Sequence, residues 1–241
     1  MELFLLRHAQ SSNNALVGGD EAARRVADPP LTEKGRRQAE LLARSLAGGG
    51  HLNGDERQDG RSRLDFLYCS AMLRALETAT AVGESLGMAP HAWIDVHEVG
   101  GIWLEDEGEI RQLFGMSRRD VAGRFPDTVV DESFTEDGWW PGGLETGEER
   151  VRRAASVARA LWARAEEDSR IGVVSHGGFM SELVAALIRP ISHQAGDEIA
   201  ESGLYYEHDN TAMTRMHLKA DKSLSIRYLN RCDHIPQELF S

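Results

Sequence analysis

The sequence contains only two cysteines, Cys69 and Cys232, among its 241 residues. A disulfide framework needs more cysteines than this, so the sequence favours a reducing compartment. It also lacks an apolar run long enough to cross a membrane, and its amino terminus lacks the apolar stretch of a signal peptide. These absences predict a cytoplasmic protein with no membrane partner.

Positive charge is also scarce, because 27 Lys and Arg residues face 39 Asp and Glu residues, for a net charge of −12. Nucleic acids and anionic membranes bind surfaces of clustered positive potential, so the sequence argues against both partners. Any anionic ligand must therefore be held by a few local cations. The hydrophobic content of 41% and charged content of 27% are typical of a soluble globular protein with ample core.

Short apolar runs alternate with longer amphipathic segments along the chain. This pattern predicts a three-layer α/β sandwich, in which a mostly parallel central sheet lies between helices. The predicted strands are LFLL (3–6), LDFLYCS (64–70), HAWIDVHEV (91–99, a strand or an extended segment), IGVVS (171–175), LYYEH (204–208), TAMTRMHLK (211–219) and LSIRYLN (224–230). The predicted helices are TEKGRRQAELLARSLA (32–47), MLRALETATAVGESLG (72–87), GEERVRRAASVARALWARAEE (147–167) and FMSELVAALI (179–188).

Two stretches of the chain do not follow this pattern. Residues 105–143 are irregular and predict a cap-like insertion, and the glycine- and charge-rich residues 48–63 predict a mobile surface loop. No repeat and no convincing linker divides the chain. The sequence therefore predicts a single domain over residues 1–241.

Conspicuous polar residues end three of the predicted strands. Arg7 and His8 follow the first, Ser70 follows the second with Arg74 one helical turn on, and His176 follows the fourth. The carboxyl ends of parallel strands converge at one edge of an open sheet, where ligands bind. We therefore expect Arg7, His8, Arg74 and His176 to meet in a single pocket.

The residue types in this pocket suit a phosphoryl group. Guanidinium groups offer forked donors that match phosphate oxygens and stay charged at any working pH. Gly177 and Gly178 open a helix, and the first N–H groups of a helix favour an anion. A neutral imidazole is a good nucleophile toward phosphorus. The pattern predicts that the first strand carries His8 to a bound phosphate ester.

The segment LLRHAQSSNN resembles the RHG signature of the histidine phosphatase superfamily, which includes the cofactor-dependent phosphoglycerate mutases. The resemblance continues through DPPLTEKGRRQAELLA, through CSAMLRALETA (similar to S-x-x-x-R-A-x-x-T-A) and through VVSHGG. These four blocks stand in family order and span roughly the first three quarters of the chain, which makes the combination more specific than any one motif.

This resemblance implies a role for each matching residue. His8 would be the nucleophile that becomes phosphohistidine, and Arg7, Arg74 and His176 would bind the transferring phosphoryl group. Asn14 matches a polar residue of the family that contacts phosphate or steers the nucleophile. The family uses no metal, and the sequence shows no compact His or Cys cluster that would suggest one. We therefore expect no cofactor, and a small-molecule phosphate monoester as the partner.

Two departures from the family pattern concern the turn after His8 and the general acid. Ala9 replaces the usual glycine of the signature, a change of one methyl group. The family acid lies in a segment like L-x-E-x-x-x-G-x-W-E-G, and the nearest match here is VHEVGGIWLED, with shorter spacing. Glu98 is the first choice because it follows the third predicted strand. Glu105 and Glu107 stay open as alternatives.

Phosphomonoester hydrolysis is the predicted activity, and two alternatives stay open. A mutase of the glycerate type carries a basic substrate segment that the stretch EDEGEIRQLFGMSRRDVAGRF does not match closely. The second alternative is a catalytically idle scaffold that only binds phosphate. Absence of His8, Arg74 or His176 would favour it, and all three residues are present. The substrate and the oligomeric state stay undetermined.

Other side chains in and after this stretch bear on the substrate. Arginine side chains could bind a second acidic group of the substrate, and the candidates are Arg111, Arg118, Arg119 and Arg124. A sugar or an apolar alcohol would suit Trp103, Trp139 and Trp140, which could equally pack a cap over the core.

Overall fold

The computed structural model describes residues 1–16, 25–52, 63–106, 108–188 and 205–241. Its eight strands are β1 (Glu2–Arg7), β2 (Phe66–Cys69), β3 (His91–Ala92), β4 (Trp103–Asp106), β5 (Glu109–Gln112), β6 (Arg170–Ser175), β7 (Met213–Leu218) and β8 (Leu224–Arg231). Six of them form one sheet in the order β3-β2-β6-β1-β7-β8, and β4 pairs with β5 in a separate hairpin.

The centre of the sheet is parallel, as predicted. Strand β6 pairs in parallel with both β1 and β2, and β2 pairs in parallel with β3. Strands β7 and β8 extend the sheet by antiparallel pairing. Arg7 at the end of β1 is in register with Ser175 at the end of β6. The next residue of each strand, His8 and His176, therefore leaves the sheet at the same edge.

The described residues also form five α-helices, namely α1 (Glu33–Ala47), α2 (Leu73–Leu86), α3 (Arg118–Arg124), α4 (Gly147–Trp162) and α5 (Gly177–Ile188). Thr32 caps α1, as the sequence predicts, because its hydroxyl accepts a hydrogen bond from the N–H of Gly35 at 2.9 Å. A reciprocal pair of hydrogen bonds between Thr146 and Glu149 caps α4 in the same way.

Successive side chains of β1 enter opposite faces of the sheet, which places helices on both sides. Phe4 and Leu6 belong to an apolar cluster with residues of α1 and α2. Leu3 and Leu5 belong to a second cluster with residues of α4 and α5. The three-layer α/β sandwich predicted from the sequence is confirmed.

The predicted third strand, 91–99, is much shorter in the structure. Only His91 and Ala92 form β3, and a 3-10 turn follows at Ile94–Val96. The N–H of Trp93 still donates to the carbonyl of Cys69 at 2.8 Å, and the 3-10 turn then directs the chain away from β2. This turn brings residues 97–101 toward the carboxyl edge of the sheet.

The predicted strand LYYEH is not a strand in its described part, residues 205–208. Backbone groups here bind side chains instead of a neighbouring strand. The N–H of Tyr206 donates to the Ser181 hydroxyl at 2.9 Å, and the carbonyl of His208 accepts from the Arg7 guanidinium. This segment therefore contacts the carboxyl end of β1 but does not pair with β1 as a neighbouring strand.

Residues 105–143 are more regular than the sequence predicts. They contain most of the β4–β5 hairpin and α3, whose first turn is capped by Ser117 and Asp120. The role of this stretch as a cap stays a prediction. Within the described ranges no helix is long and apolar enough to span a bilayer.

Candidate active site

His8 and His176 are both buried at the carboxyl edge of the sheet, 2% and 0% exposed. Their ring centroids lie 4.9 Å apart. The N–H of His8 donates to the carbonyl of Ser175 at 2.9 Å, which continues the pairing of β1 with β6 past the end of the strand. The sheet itself thus fixes the distance between the two imidazoles.

The hydrogen bonds of His8 determine which ring nitrogen carries the proton. Nδ1 lies 2.7 Å from the carbonyl oxygen of Ala9, and a carbonyl can only accept, so Nδ1 is protonated in the neutral ring. Nε2 then carries the lone pair, which accepts from Nε of Arg74 at 3.1 Å. Nε2 is therefore the unprotonated ring nitrogen of His8.

Arg74 is held in place by contacts that the motif comparison did not single out. The hydroxyl of Thr78 donates to the Arg74 carbonyl at 2.7 Å and accepts from the N–H of Ala9 at 3.1 Å. Asp28 lies 3.8 Å from Nη1 of Arg74 and accepts from the N–H of Leu73. The threonine of CSAMLRALETA and the aspartate of DPPLTEKG were available signals for these supporting roles.

Arg7 and His176 each present an unpaired polar atom among the described residues. Arg7 donates through Nη1 to the carbonyl of His208, whereas its buried Nε has no hydrogen-bond partner. His176 contacts the Ser70 hydroxyl through Nε2 at 2.8 Å, and its buried Nδ1 has no partner. Buried polar atoms are rarely left without a hydrogen-bond partner in folded proteins, so these two nitrogens are suited to form hydrogen bonds with the oxygen atoms of a ligand.

Burial and neighbouring cations keep both imidazoles neutral. Burial, assisted by Arg74 and Arg7, lowers the pKa of His8 well below its usual value. Burial, assisted by Arg74 and other neighbours, does the same to the pKa of His176. Burial also lowers the pKa of each arginine, but a guanidinium stays charged at working pH. The site therefore combines two permanently charged guanidinium groups with two neutral imidazoles, an arrangement suited to an anionic electrophile.

Glu98 lies at the amino end of α5. Its Oε1 accepts from the N–H groups of Val99 and Phe179, both at 2.9 Å, and its Oε2 accepts from that of Gly178 at 3.4 Å. A Cβ atom on Gly178 would lie 2.7 Å from Oε1, so glycine permits this close approach. The helix end that the sequence predicts to favour an anion therefore holds the Glu98 carboxylate.

Glu98 is also linked electrostatically to the pocket, because burial lowers the pKa of both Arg7 and Arg74 and the negative charge of Glu98 opposes that shift. Of the two alternatives, Glu105 is exposed on the β4–β5 hairpin, and Glu107 lies outside the described residues. Tyr205, which sequence reasoning missed, is 67% exposed, and burial and the charge of Glu98 raise its pKa.

Asn14 and Gly177 occupy different positions relative to this pocket. Asn14 is exposed, and its Oδ1 accepts from Ser11 at 3.0 Å and from Asn210 at 3.4 Å. Asn210 also donates to the carbonyl of His8 at 3.0 Å, so Asn14 is connected to His8 through that amide. Gly177 lies directly against Arg7, whose Nε would be 3.4 Å from a Cβ at this position.

Two of the three tryptophans pack in the manner of core residues. Trp139 is buried, and its ring lies 5.5 Å from that of His97, while Trp140 lies 4.9 Å from His97. Trp140 also fills the space in front of Gly101, where a Cβ would lie 2.2 Å from the indole. Trp103 is half-buried beside Gly100. Packing over the segment that carries Glu98 thus accounts for Trp139 and Trp140.

Three of the arginines considered for a second acidic group make contacts within the protein. Arg118 donates through Nε to the carbonyl of Phe134 at 3.0 Å. Arg119 and Arg124 lie 3.8 Å from Glu136 and Glu77, respectively. The fourth, Arg111, is exposed on β5. In the described part of the chain, no group of three or more His, Cys, Asp or Glu side chains could hold a metal ion.

Comparisons with curated proteins give partial and full-length matches. The chain is 26% identical over 236 residues to "Putative phosphoserine phosphatase 2" of Hydrogenobacter thermophilus, covering 98% of both chains. It is 28% identical over 195 residues to the glucosyl-3-phosphoglycerate phosphatase of Mycolicibacterium vanbaalenii, covering 77% of this chain and 73% of that protein. A shorter match, 35% identical over 96 residues, is to the transcription antitermination protein NusB of Symbiobacterium thermophilum and covers 39% of this chain and 60% of NusB.

Among solved structures, the fold is similar to that of the ecdysone phosphate phosphatase from Bombix mori in complex with tungstate. The TM-score is 0.65 at 16% identity, over 98% of this chain and 95% of that one. The sequence also matches the profile of the histidine phosphatase superfamily, branch 1, over residues 3–230. The prediction of an enzyme of this family is thereby confirmed. The chain belongs to branch 1 of the histidine phosphatase superfamily.

Proposed function

We propose that the protein hydrolyses small phosphate monoesters through a phosphohistidine on Nε2 of His8, with no metal ion in the reaction. The observation that carries this proposal is the state of His8, a buried neutral imidazole whose unprotonated Nε2 meets the guanidinium of Arg74 at 3.1 Å. The names of the two phosphatase relatives support a phosphate ester as the substrate class.

In the first step, Nε2 of His8 attacks phosphorus and the bond to the ester oxygen breaks. Arg7, Arg74 and His176 neutralise the charge on the phosphoryl oxygens, with the unpaired Nε of Arg7 and Nδ1 of His176 as donors. For Nδ1 of His176 to carry a proton, the Ser70 hydroxyl donates to Nε2, which its 2.8 Å distance allows. Fixed donors of this kind stabilise charge without reorganisation during the reaction.

Glu98 supplies the proton that the leaving alkoxide needs. Glu98 enters the first step protonated and ends it ionised, because its proton goes to the ester oxygen as the bond to phosphorus breaks. In the second step, the ionised Glu98 takes a proton from water, the water oxygen attacks phosphorus, and the bond to His8 breaks. Inorganic phosphate leaves, and both side chains return to their starting states.

Release of inorganic phosphate from a panel of monoesters tests this function. The panel includes p-nitrophenyl phosphate, phosphoserine and sugar phosphates, each assayed with and without a chelator. We expect hydrolysis that the chelator does not reduce, and loss of nearly all of it in a folded His8→Ala variant. His91→Asn, which changes an exposed histidine of β3, is the matched control and should keep full activity. Near-normal turnover by His8→Ala would reject the proposal.

A further inference from the structure

Glu145 and Arg153 form a buried, two-pronged ion pair next to the segment that carries Glu98. Nε of Arg153 lies 2.6 Å from Oε1 of Glu145, and Nη2 lies 2.7 Å from Oε2. The two side chains are only 5% and 8% exposed. Neither residue belongs to the motifs that define the phosphate pocket, and the mechanism above does not use them.

The pair binds the backbone on both sides of Glu98. Nη1 of Arg153 donates to the carbonyls of Asp95, at 2.8 Å, and His97, at 3.0 Å. On the other side of Glu98, the N–H of Gly100 donates to Oε2 of Glu145 at 3.2 Å, and the carbonyl of Gly100 accepts from the N–H of Glu145 at 3.3 Å. The backbone that carries Glu98 is therefore held before and after this residue.

Arg153 also contacts the helix that orients the Glu98 carboxylate. The centre of its guanidinium lies 4.4 Å from the ring centroid of Phe179. The N–H of Phe179 is one of the donors to Oε1 of Glu98. One guanidinium thus touches both the backbone that carries Glu98 and the residue that receives its carboxylate.

Stability alone gives little reason to bury such a pair. The free-energy cost of removing two charges from water offsets most of their mutual attraction, and well-packed apolar residues in the same place are often as stabilising as the ion pair. The fixed geometry of a forked pair is what an apolar replacement would lose. Placement of a catalytic group needs such geometry, because a displacement of about 1 Å can reduce a rate by roughly a hundredfold.

We propose that Arg153 and Glu145 are positioning residues that fix Glu98 for proton transfer to the leaving group. The pair moves no proton itself. This inference rests on the proposed function, because it assumes that Glu98 is the general acid. It differs from a structural role in one respect: weakening the pair should slow the first step only for substrates whose leaving group needs a proton.

Arg153→Lys tests this role, because lysine keeps the charge and loses the fork. We expect kcat/KM for an alkyl phosphate, which reports the steps up to release of the alcohol, to fall by about tenfold to a hundredfold, and kcat/KM for p-nitrophenyl phosphate to fall by less than about threefold. Glu145→Gln should give the same pattern. The matched control is Arg152→Lys. Arg152 precedes Arg153 in α4 and forms an exposed ion pair with Glu148, so this substitution should leave the rates on both substrates unchanged.

A double variant then identifies Glu98 as the group through which the pair acts. In the Glu98→Gln background, Arg153→Lys should cause almost no further loss on the alkyl phosphate, because effects on one shared function are not additive. Equal losses on both substrates, or an additive loss in the double variant, would overturn the positioning role. So would failure of both Arg153→Lys and Glu145→Gln to fold, which would make the role structural. Absence of phosphate release by the unaltered protein would instead reject the proposed function.

Discussion

Nε of Arg74 donates a hydrogen bond to Nε2 of His8 at 3.1 Å, so one cation holds the lone pair proposed as the nucleophile. For a phosphate ester to reach Nε2 of His8, the guanidinium must give up this hydrogen bond and donate to the oxygen atoms of the ester instead. The exchange replaces a neutral acceptor with an anionic one, which binds a guanidinium more strongly. In the proposed mechanism, Arg74 thus binds the nucleophile before the substrate arrives and then neutralises the phosphoryl group.

Replacement of Glu98 by Gln should separate substrates by leaving group. Glutamine can still accept the N–H bonds of Val99 and Phe179 through its oxygen, but its amide nitrogen cannot accept that of Gly178, and it has no acidic proton to give. We expect kcat/KM, which reports the steps up to release of the alcohol, to fall by about a hundredfold or more for an alkyl phosphate and by far less for p-nitrophenyl phosphate. The measurement is kcat/KM on both substrates. Equal losses would assign proton transfer to another group or make Glu98 purely structural.

Stability should fall as the pH is lowered from about 7.5 to about 5.5. Burial lowers the pKa of several histidines, to about 3 for His97 and to about 4 for His208. The unfolded chain binds protons at these sites near pH 6.5 while the folded chain does not, so stability is present above that pH and is lost below it. Each such histidine removes about 1.4 kcal/mol over this interval.

Asp28 opposes this trend, because burial raises its pKa to about 6 and acidification then favours the folded state. A single carboxyl does not offset the buried histidines. Thermal or denaturant unfolding at both pH values measures the net change. In a His97→Phe variant, the loss on acidification should be smaller by about 1.4 kcal/mol. An unchanged loss would mean that His97 is not a buried neutral histidine.

Gly35 should not tolerate alanine. A Cβ there would lie 2.0 Å from the carbonyl oxygen of Gln10, in the loop that follows His8. We expect Gly35→Ala to lower the free energy of unfolding by about 1–3 kcal/mol and to reduce activity as the loop shifts. Gly123→Ala is the control, because a Cβ there has open space within α3 and should stabilise by up to about 1 kcal/mol. Equal effects of the two variants would contradict this packing.

The sequence was sufficient to predict which residues gather at the sheet edge. Parallel strands with polar ends bring Arg7, His8 and His176 to one edge whatever the loops between them do. The pair of Glu145 and Arg153 was not predictable, because it depends on the path of residues 95–100 after β3. That path follows from a 3-10 turn and long-range hydrogen bonds, neither of which leaves a periodic pattern in the sequence.

The choice between hydrolase and mutase depends on what reaches the phosphoenzyme. A mutase must exclude water and retain its bound intermediate, which demands a tight, substrate-specific cap. With 3-phosphoglycerate and a trace of 2,3-bisphosphoglycerate, we expect release of inorganic phosphate or no reaction. Rapid formation of 2-phosphoglycerate with little free phosphate would make the protein a mutase and leave the proposed role of His8 intact.

Mass spectrometry of the enzyme quenched with alkali during turnover tests the central claim most directly. Phosphohistidine is the proposed intermediate, so the peptide that contains His8 should carry one phosphoryl group, and His8→Ala should carry none. His176 should stay unmodified, because it binds the phosphoryl group and does not attack it. Phosphate on another residue, or turnover by His8→Ala at a near-normal rate, would contradict the account.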